Sequence, residues 1–255
     1  MEKAAFPILE YDDAREAILE PGRVIETMDV PEHCVICFFA EVIEWLKDKY
    51  DVNVLAYSKS EIGLHPLYEM EFQDQRLAFF HPGIGAPLAV GLLEEMIARG
   101  ISKFIACGGC GVLDRDIAVG HLLVPIAAIR DEGTSYHYLP PSREVEADPV
   151  GLEAIESVLN RKKIDYLRIK TWTTDAIYRE TPDKTAAYKA EGCLAVEMET
   201  AAFFAAAKFR NVRFGQILYG GDAVLAEAWD GREWDSREHI RRNLFWLAAE
   251  AVLEL

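Results

Sequence analysis

Carboxylates stand at two places in this chain where an acid is either a structural cap or a chemical tool. In Ala195-Val196-Glu197-Met198-Glu199-Thr200-Ala201-Ala202, two glutamates bracket a methionine just ahead of an alanine-rich run. Residues two apart on a helix point to different sides, so at most one of Glu197 and Glu199 faces a given ligand. The alternative is an acidic first turn that the helix dipole favours. In Tyr219-Gly220-Gly221-Asp222 an acid closes an apolar run, where it serves as a proton donor or as an ordinary turn aspartate. Two glycine-rich stretches, Pro82-Gly83-Ile84-Gly85-Ala86-Pro87 and Cys107-Gly108-Gly109-Cys110-Gly111, follow strand-like runs. Neither is a dinucleotide fingerprint or a P-loop, so each is a tight turn or an anion cradle. The pairs Cys34/Cys37 and Cys107/Cys110 have the spacing of zinc ligands. They lie far apart in sequence, however, and residues three apart on a strand point to opposite faces, which favours buried thiols and no metal site.

The elements that must position these groups alternate. Strands are expected over 33–39, 76–81, 101–106, 119–129, 167–173, 194–196 and 212–219. Between them helices are expected over 41–50, from Pro87 to Arg99, from Asp148-Pro149 to about Asn160, and from Thr181-Pro182 to Gly192. Two more follow, over 199–209 and from a cap at Asp235 or Ser236 to Leu255. This order predicts an α/β protein with a mostly parallel or mixed sheet covered by helices. Residues 1–32, punctuated by proline, read as an arm, and 33–255 as one domain without a linker. Ligands in such folds lie at the C-terminal ends of strands, which gathers 83–87, 107–111, 197–199 and 220–222 into one candidate site.

Composition narrows the functions. The chain has 255 residues, 51% of them hydrophobic, enough for a buried core. Its 43 acidic and 27 basic residues give a formal charge of -16, which repels nucleic acid and anionic membranes where no basic patch intervenes. No run is apolar enough to span a membrane, and the first residues lack a signal-peptide pattern, so the expected location is the cytoplasm.

Taken in series, the motifs resemble those of the nucleoside phosphorylase superfamily, which includes uridine phosphorylases, hexameric purine nucleoside phosphorylases and methylthioadenosine-type nucleosidases. The resemblance rests on Pro82–Pro87, Cys107–Gly111 with Val119-Gly-His-Leu-Leu-Val124, Thr173-Thr-Asp175-Ala-Ile-Tyr178, Val196-Glu-Met-Glu199 and Gly221-Asp222. It implies a three-layer α/β/α fold around a mixed, partly barrel-like sheet and cleavage of a nucleoside's N-glycosidic bond. By the same resemblance Glu199 holds the ribose hydroxyls, Met198 packs on the sugar and Tyr178 lies near the base, with Glu197, Gly85, Gly108 and Gly109 completing the binding set. Asp222 stands at the distance from Glu199 where purine-cleaving members carry the aspartate that protonates N7. The uracil-reading Gln-x-Arg of uridine phosphorylases would fall near Thr181 and Asp183, which favours a purine. A homodimer or ring of dimers is implied too, and no cofactor besides phosphate as co-substrate.

The departures concern the acceptor. Phosphate-using members carry a Gly-Asp-x-x-Arg turn where this chain has Phe38-Phe39-Ala40-Glu41, and an arginine and a threonine where it has Ala106 and Gly109. An arginine lent by a neighbouring subunit aligns with Glu69. Arg15 of the arm is a candidate replacement cation. Hydrolytic relatives instead place a water-activating glutamate near Glu41, whose alternative is an exposed acid in a helix's first turn. Three readings therefore stand: transfer of the sugar to phosphate, hydrolysis, and nucleoside binding without catalysis.

Overall fold

The computed structural model of the chain describes residues 3–255; Met1 and Glu2, the first residues of the expected arm, lie outside the described residues. Residues 3–32 contain a 3-10 turn at Pro7–Leu9 and the one-turn helix α1 (Pro21–Val24). The segment is tied to the rest by Met28 N–H donating to the Arg99 carbonyl at 3.0 Å and by an Arg210–Glu20 ion pair at 3.2 Å.

Then follow β1 (His33–Cys37), α2 (Ala40–Lys49), β2 (Asn53–Ser60), β3 (Gly63–Phe72), β4 (Gln75–Phe80) and α3 (Ala86–Arg99). The central strands are β5 (Lys103–Val112), β6 (Leu122–Asp131) and β7 (Glu144–Glu146), followed by α4 (Pro149–Lys162), β8 (Tyr166–Thr174) and α5 (Pro182–Ala190). The chain ends with β9 (Cys193–Glu197), α6 (Thr200–Arg210), β10 (Arg213–Val224), β11 (Trp229–Asp230) and α7 (Glu238–Val252). Local chemistry sets several of these ends. Asp148 caps α4 by accepting from Val150 N–H at 3.1 Å, Thr181 caps α5, and Gly100 ends α3 at φ 121°.

The sheet is mixed. Its order is β11-β10-β6-β8-β9-β5-β1-β4-β3-β2, and an additional β10–β5 pairing closes β5, β10, β6, β8 and β9 into a five-stranded barrel. Every strand of that ring sends apolar side chains inward: Cys110 and Val112, Leu218, Leu123, Ile169 and Ala195. Helices α2, α4 and α7 bury Val42, Leu46, Ile155, Leu159, Leu244 and Phe245 on one side of the sheet. On the other, α3 and α6 bury Ala89, Leu93, Ala202 and Phe203. This is the α/β/α arrangement around a partly barrel-like sheet read from the motifs. Cys34 and Cys37 fall in the cores on opposite sides of the sheet, and all five cysteines are free and buried.

Three expectations need correction. The sequence reading missed the β2–β3 hairpin, because its strands are half-exposed and lack a clean apolar alternation. The glycine stretch 107–111 lies within β5, and Gly220, Gly221 and Asp222 lie within β10, where strand ends were expected. Barrel closure is the reason: a Cβ on Gly111 would lie 2.8 Å from Val224 Cγ2, and one on Gly220 3.0 Å from Val112 Cγ1. Finally, α7 starts at Glu238 with no cap from Asp235 or Ser236. Trp234–Ser236 form a 3-10 turn whose Trp234 carbonyl accepts from Tyr219 and Arg241.

Helix α4 crosses β10 so closely that a Cβ on Gly151 would come within 2.1 Å of the Phe214 carbonyl oxygen. Gly151→Ala is therefore expected to destabilise the protein by about 3 kcal/mol despite alanine's better helix propensity, because backbone must move. The urea midpoint reads this directly, and an unchanged midpoint would mean that α4 sits farther from β10.

Candidate active site

The two glutamates of the β9–α6 junction occupy different environments. Glu197 ends β9 with its carboxylate turned inward. Oε1 accepts from Thr173 Oγ1 at 2.6 Å, and Oε2 accepts from the Glu199 and Thr200 N–H groups at 2.8 and 2.7 Å. It thus satisfies the first amides of α6 and ties that helix to β8. Burial pushes its carboxyl above the ordinary range, and these hydrogen bonds oppose the rise.

Glu199 is the N-cap residue of α6, yet its side chain reaches across to the start of another helix. Oε1 accepts from Gly85 N–H at 2.5 Å, and Gly85 is the N-cap of α3 at φ 88°, a conformation that glycine adopts without strain. The carboxylate therefore lies between two helix N-termini, where amide dipoles favour negative charge. Burial, and then the neighbouring charge of Glu197, nevertheless push its pKa up to about 8. Met198, between the two glutamates, is half-buried.

Asp222 approaches the same junction from β10. The register of β10 with β5 slips between Gly220 and Ala223, and Asp222 sits in that irregularity, half-buried. A Cβ on Gly111 would lie 3.5 Å from Asp222 Oδ1, and Gly111 pairs with Val196, the residue before Glu197. Gly111 is thus the point around which the two acidic segments meet. The buried Cys110 thiol beside it is raised first by desolvation and then by the charges of Glu197 and Asp222. Glu180, half-buried after β8, is pushed up to about 7 by burial and by Asp222.

Gly108 and Gly109 face opposite sides of β5: a Cβ on Gly108 would meet the Phe38 ring at 3.2 Å, and one on Gly109 the Tyr219 ring at 3.2 Å. Phe38 also packs edge-on against His81, with ring centroids 6.4 Å apart. Glu41, in the first turn of α2, is bound by Arg241 Nη1 at 2.6 Å, and Arg241 also donates to the Tyr219 hydroxyl and the Trp234 carbonyl. Arg15 stands elsewhere. It stacks 4.1 Å from the Phe209 ring centroid and helps to line a cavity of about 870 Å³ beneath the arm, together with Glu94, Tyr138 and Arg210. Glu69 is paired with Arg76 at 2.7 Å. Tyr178 is 95% exposed in the single chain and lies two residues before Glu180.

The structure thus groups Gly85, Glu197, Met198, Glu199 and Asp222, places Gly108 beside Phe38, and holds Glu41 in a separate ion pair. Sequence reasoning included Gly111 only as part of the 107–111 glycine stretch, and passed over Glu180, Trp229 and Arg241. For Arg241 a signal existed: it lies three and seven residues before Leu244 and Ala248, on the buried face of α7. For the others no local pattern marks the role.

A family model described as the phosphorylase superfamily matches residues 32–244, and the chain belongs to that superfamily, as a nucleoside phosphorylase-like enzyme. It is 28% identical over 201 residues to the guanosine phosphorylase of Halorubrum lacusprofundi, covering 78% of this chain and 81% of that relative. Among solved structures it resembles uridine phosphorylase from Vibrio fischeri complexed with 6-hydroxy-1-naphthoic acid. The TM-score is 0.77 at 21% identity, over 93% of this chain and 100% of the other. The AMP nucleosidase from Bacteroides thetaiotaomicron matches with a TM-score of 0.71 at 22% identity, over 88% of each chain. No helix among the described residues is long and apolar enough to cross a membrane.

The raised pKa of Glu199 has a defined consequence for stability. The folded protein keeps this proton up to about pH 8, whereas an ordinary glutamate has lost it above about 4.5. Stability from this group is complete below the lower value and is lost as pH rises through the upper one. Glu180 acts with the same sign up to about pH 7. The thermal midpoint of the ligand-free protein should fall as pH rises from about 6 to above 8. In Glu199→Gln the fall should be smaller and end near pH 7. Melting curves across this range check it; parallel wild-type and variant curves would show that Glu199 titrates normally.

Proposed function

We propose that this chain cleaves the N-glycosidic bond of a purine-type nucleoside, with residues 33–255 as the catalytic unit and residues 1–32 as an arm outside it. The carrying observation is the convergence on Gly111 of the Glu197–Glu199 junction and Asp222. In this reading Glu199 accepts hydrogen bonds from the ribose hydroxyls. Gly85 N–H occupies Oε1 and leaves Oε2 for the sugar. The grip strengthens as the sugar becomes oxocarbenium-like and its hydroxyls more acidic. Met198 packs on the sugar, Asp222 protonates the leaving base, and Glu197 holds the junction in shape. The named relative that acts on guanosine supports a purine. A homodimer or ring of dimers is part of the proposal, and a neighbouring subunit would give the exposed Tyr178 a partner.

Relatives named as phosphorylases support phosphate as the acceptor. One observation favours hydrolysis as a second reading. Residues 38–41 offer the Phe38 ring and a carboxylate and no cation, and the charge of the nearby Arg241 is already engaged by Glu41. In that reading Glu41 orients the attacking water.

Glu199→Ala should abolish nucleoside binding measured by calorimetry while cooperative unfolding persists, because the carboxylate serves the ligand more than the core. Undiminished affinity would remove Glu199 from the site. Asp222→Asn should slow base release from inosine or guanosine by about 10²-fold or more, yet spare a nitrophenyl riboside, whose leaving group needs no proton. Equal losses on both would assign Asp222 to the sugar. Base release measured from zero to saturating phosphate, with sugar 1-phosphate and free sugar quantified together, separates the acceptors. Stoichiometric sugar 1-phosphate formed only with phosphate selects phosphorolysis. Phosphate-independent release that falls in Glu41→Gln selects water, and tight binding with no release leaves a nucleoside-binding protein.

A further inference from the structure

Trp229 is 66% exposed, and burial of its ring does not explain why it is held in one place. Four observations show that it is held. Its Nε1–H donates to Asp222 Oδ2 at 2.7 Å. Its backbone pairs with Val224, returning through a turn in which Leu225 and Ala228 exchange hydrogen bonds of 3.1 and 3.2 Å. Its six-membered ring folds down over Gly231, where a Cβ would come within 2.9 Å of Cη2. The next residue, Arg232, anchors the segment by donating to the Ile117 carbonyl at 2.6 Å. The other oxygen of Asp222 is left differently: Oδ1 lies over Gly111 and has no hydrogen-bond partner among the described residues.

The geometry points to Trp229 as a positioning residue for Asp222, its indole N–H fixing Oδ2 so that Oδ1 presents the proton to the leaving base. This rests on the reading of Asp222 as the acid. In the step itself, the proton passes from Oδ1 to the purine nitrogen while the electron pair of the breaking C–N bond moves into the base. The sugar carbon bonds to the acceptor, phosphate or water, and Asp222 regains a proton from solvent. A carboxyl with one oxygen pinned cannot rotate away from the base, and orientation of a reacting group is worth orders of magnitude in rate.

The test uses Trp229→Phe, which keeps a ring over Gly231 and removes the N–H, alone and combined with Asp222→Asn. With inosine and guanosine, Trp229→Phe should lower kcat roughly tenfold or more and change KM by less than about threefold. Release from a nitrophenyl riboside should stay within about twofold of wild type, which a misfolded variant would not manage. The double variant should be no slower than Asp222→Asn, because both changes remove one function. Wild-type kcat in Trp229→Phe, equal losses on both substrate types, or additive losses in the double variant would each overturn the role of Trp229 and leave the proposed reaction standing. Absence of base release by the wild-type protein from every nucleoside would overturn both.

Discussion

Strand β10 runs parallel to β5 from Arg213 opposite Lys103 to Gly220 opposite Cys110, and this pairing closes five strands into a ring. Closure brings side chains of neighbouring strands so close that a Cβ at position 111 would force a shift and one at position 220 would be tightly crowded. The same crowding interrupts the ladder between Gly220 and Ala223, and the irregularity carries Asp222 out of the regular register. Because β9 joins the ring antiparallel to β5, pairing Gly111 with Val196, the Glu197–Glu199 junction arrives at the same spot. Both halves of the candidate site are consequences of how the barrel closes.

Within that site, two glutamates of one short motif divide the work by their hydrogen bonds. A buried carboxylate is tolerated when donors surround it. Glu197 has Thr173, the first amides of α6 and a weaker contact from Thr171 at 3.4 Å. Glu199, equally buried, accepts from Gly85 N–H and is otherwise met by the backbone of Met198 and the field of two helix ends, fewer donors than Glu197 has among the described residues. That difference separates a carboxylate engaged on both oxygens within the protein from one less fully engaged. Burial, and then the neighbouring charge of Glu197, keep Glu199 protonated near neutral pH.

The wall next to Gly108 follows another logic. The Phe38 ring fills the space that a Gly108 side chain would claim and packs on His81 and Phe203. Behind it, Arg241 is inserted among Phe39, Tyr219 and Trp234 and meets Glu41. The charge there is paired internally, and the part-exposed residue beside it, Phe38, is aromatic. An acceptor at this wall would meet a ring and an ion pair, an environment different from the cationic turn of the phosphate-using pattern that the sequence otherwise resembles.

The sequence alone determined the alternation of strands and helices, the caps at Asp148 and Thr181, the start and stop of α3, and the Glu197–Glu199 motif, because each is written in a few adjacent residues. Closure of the ring was decided by the tertiary structure, since glycines that permit tight strand packing look locally like glycines of a turn. Which of Glu197 and Glu199 is satisfied depends on Thr173 and Gly85, far away in the chain. The Arg241–Glu41 pair and the Trp229–Asp222 bond also join segments that no local pattern connects. Spacing along the chain fixes which side of an element a residue occupies, and only the packing of elements fixes what stands opposite it.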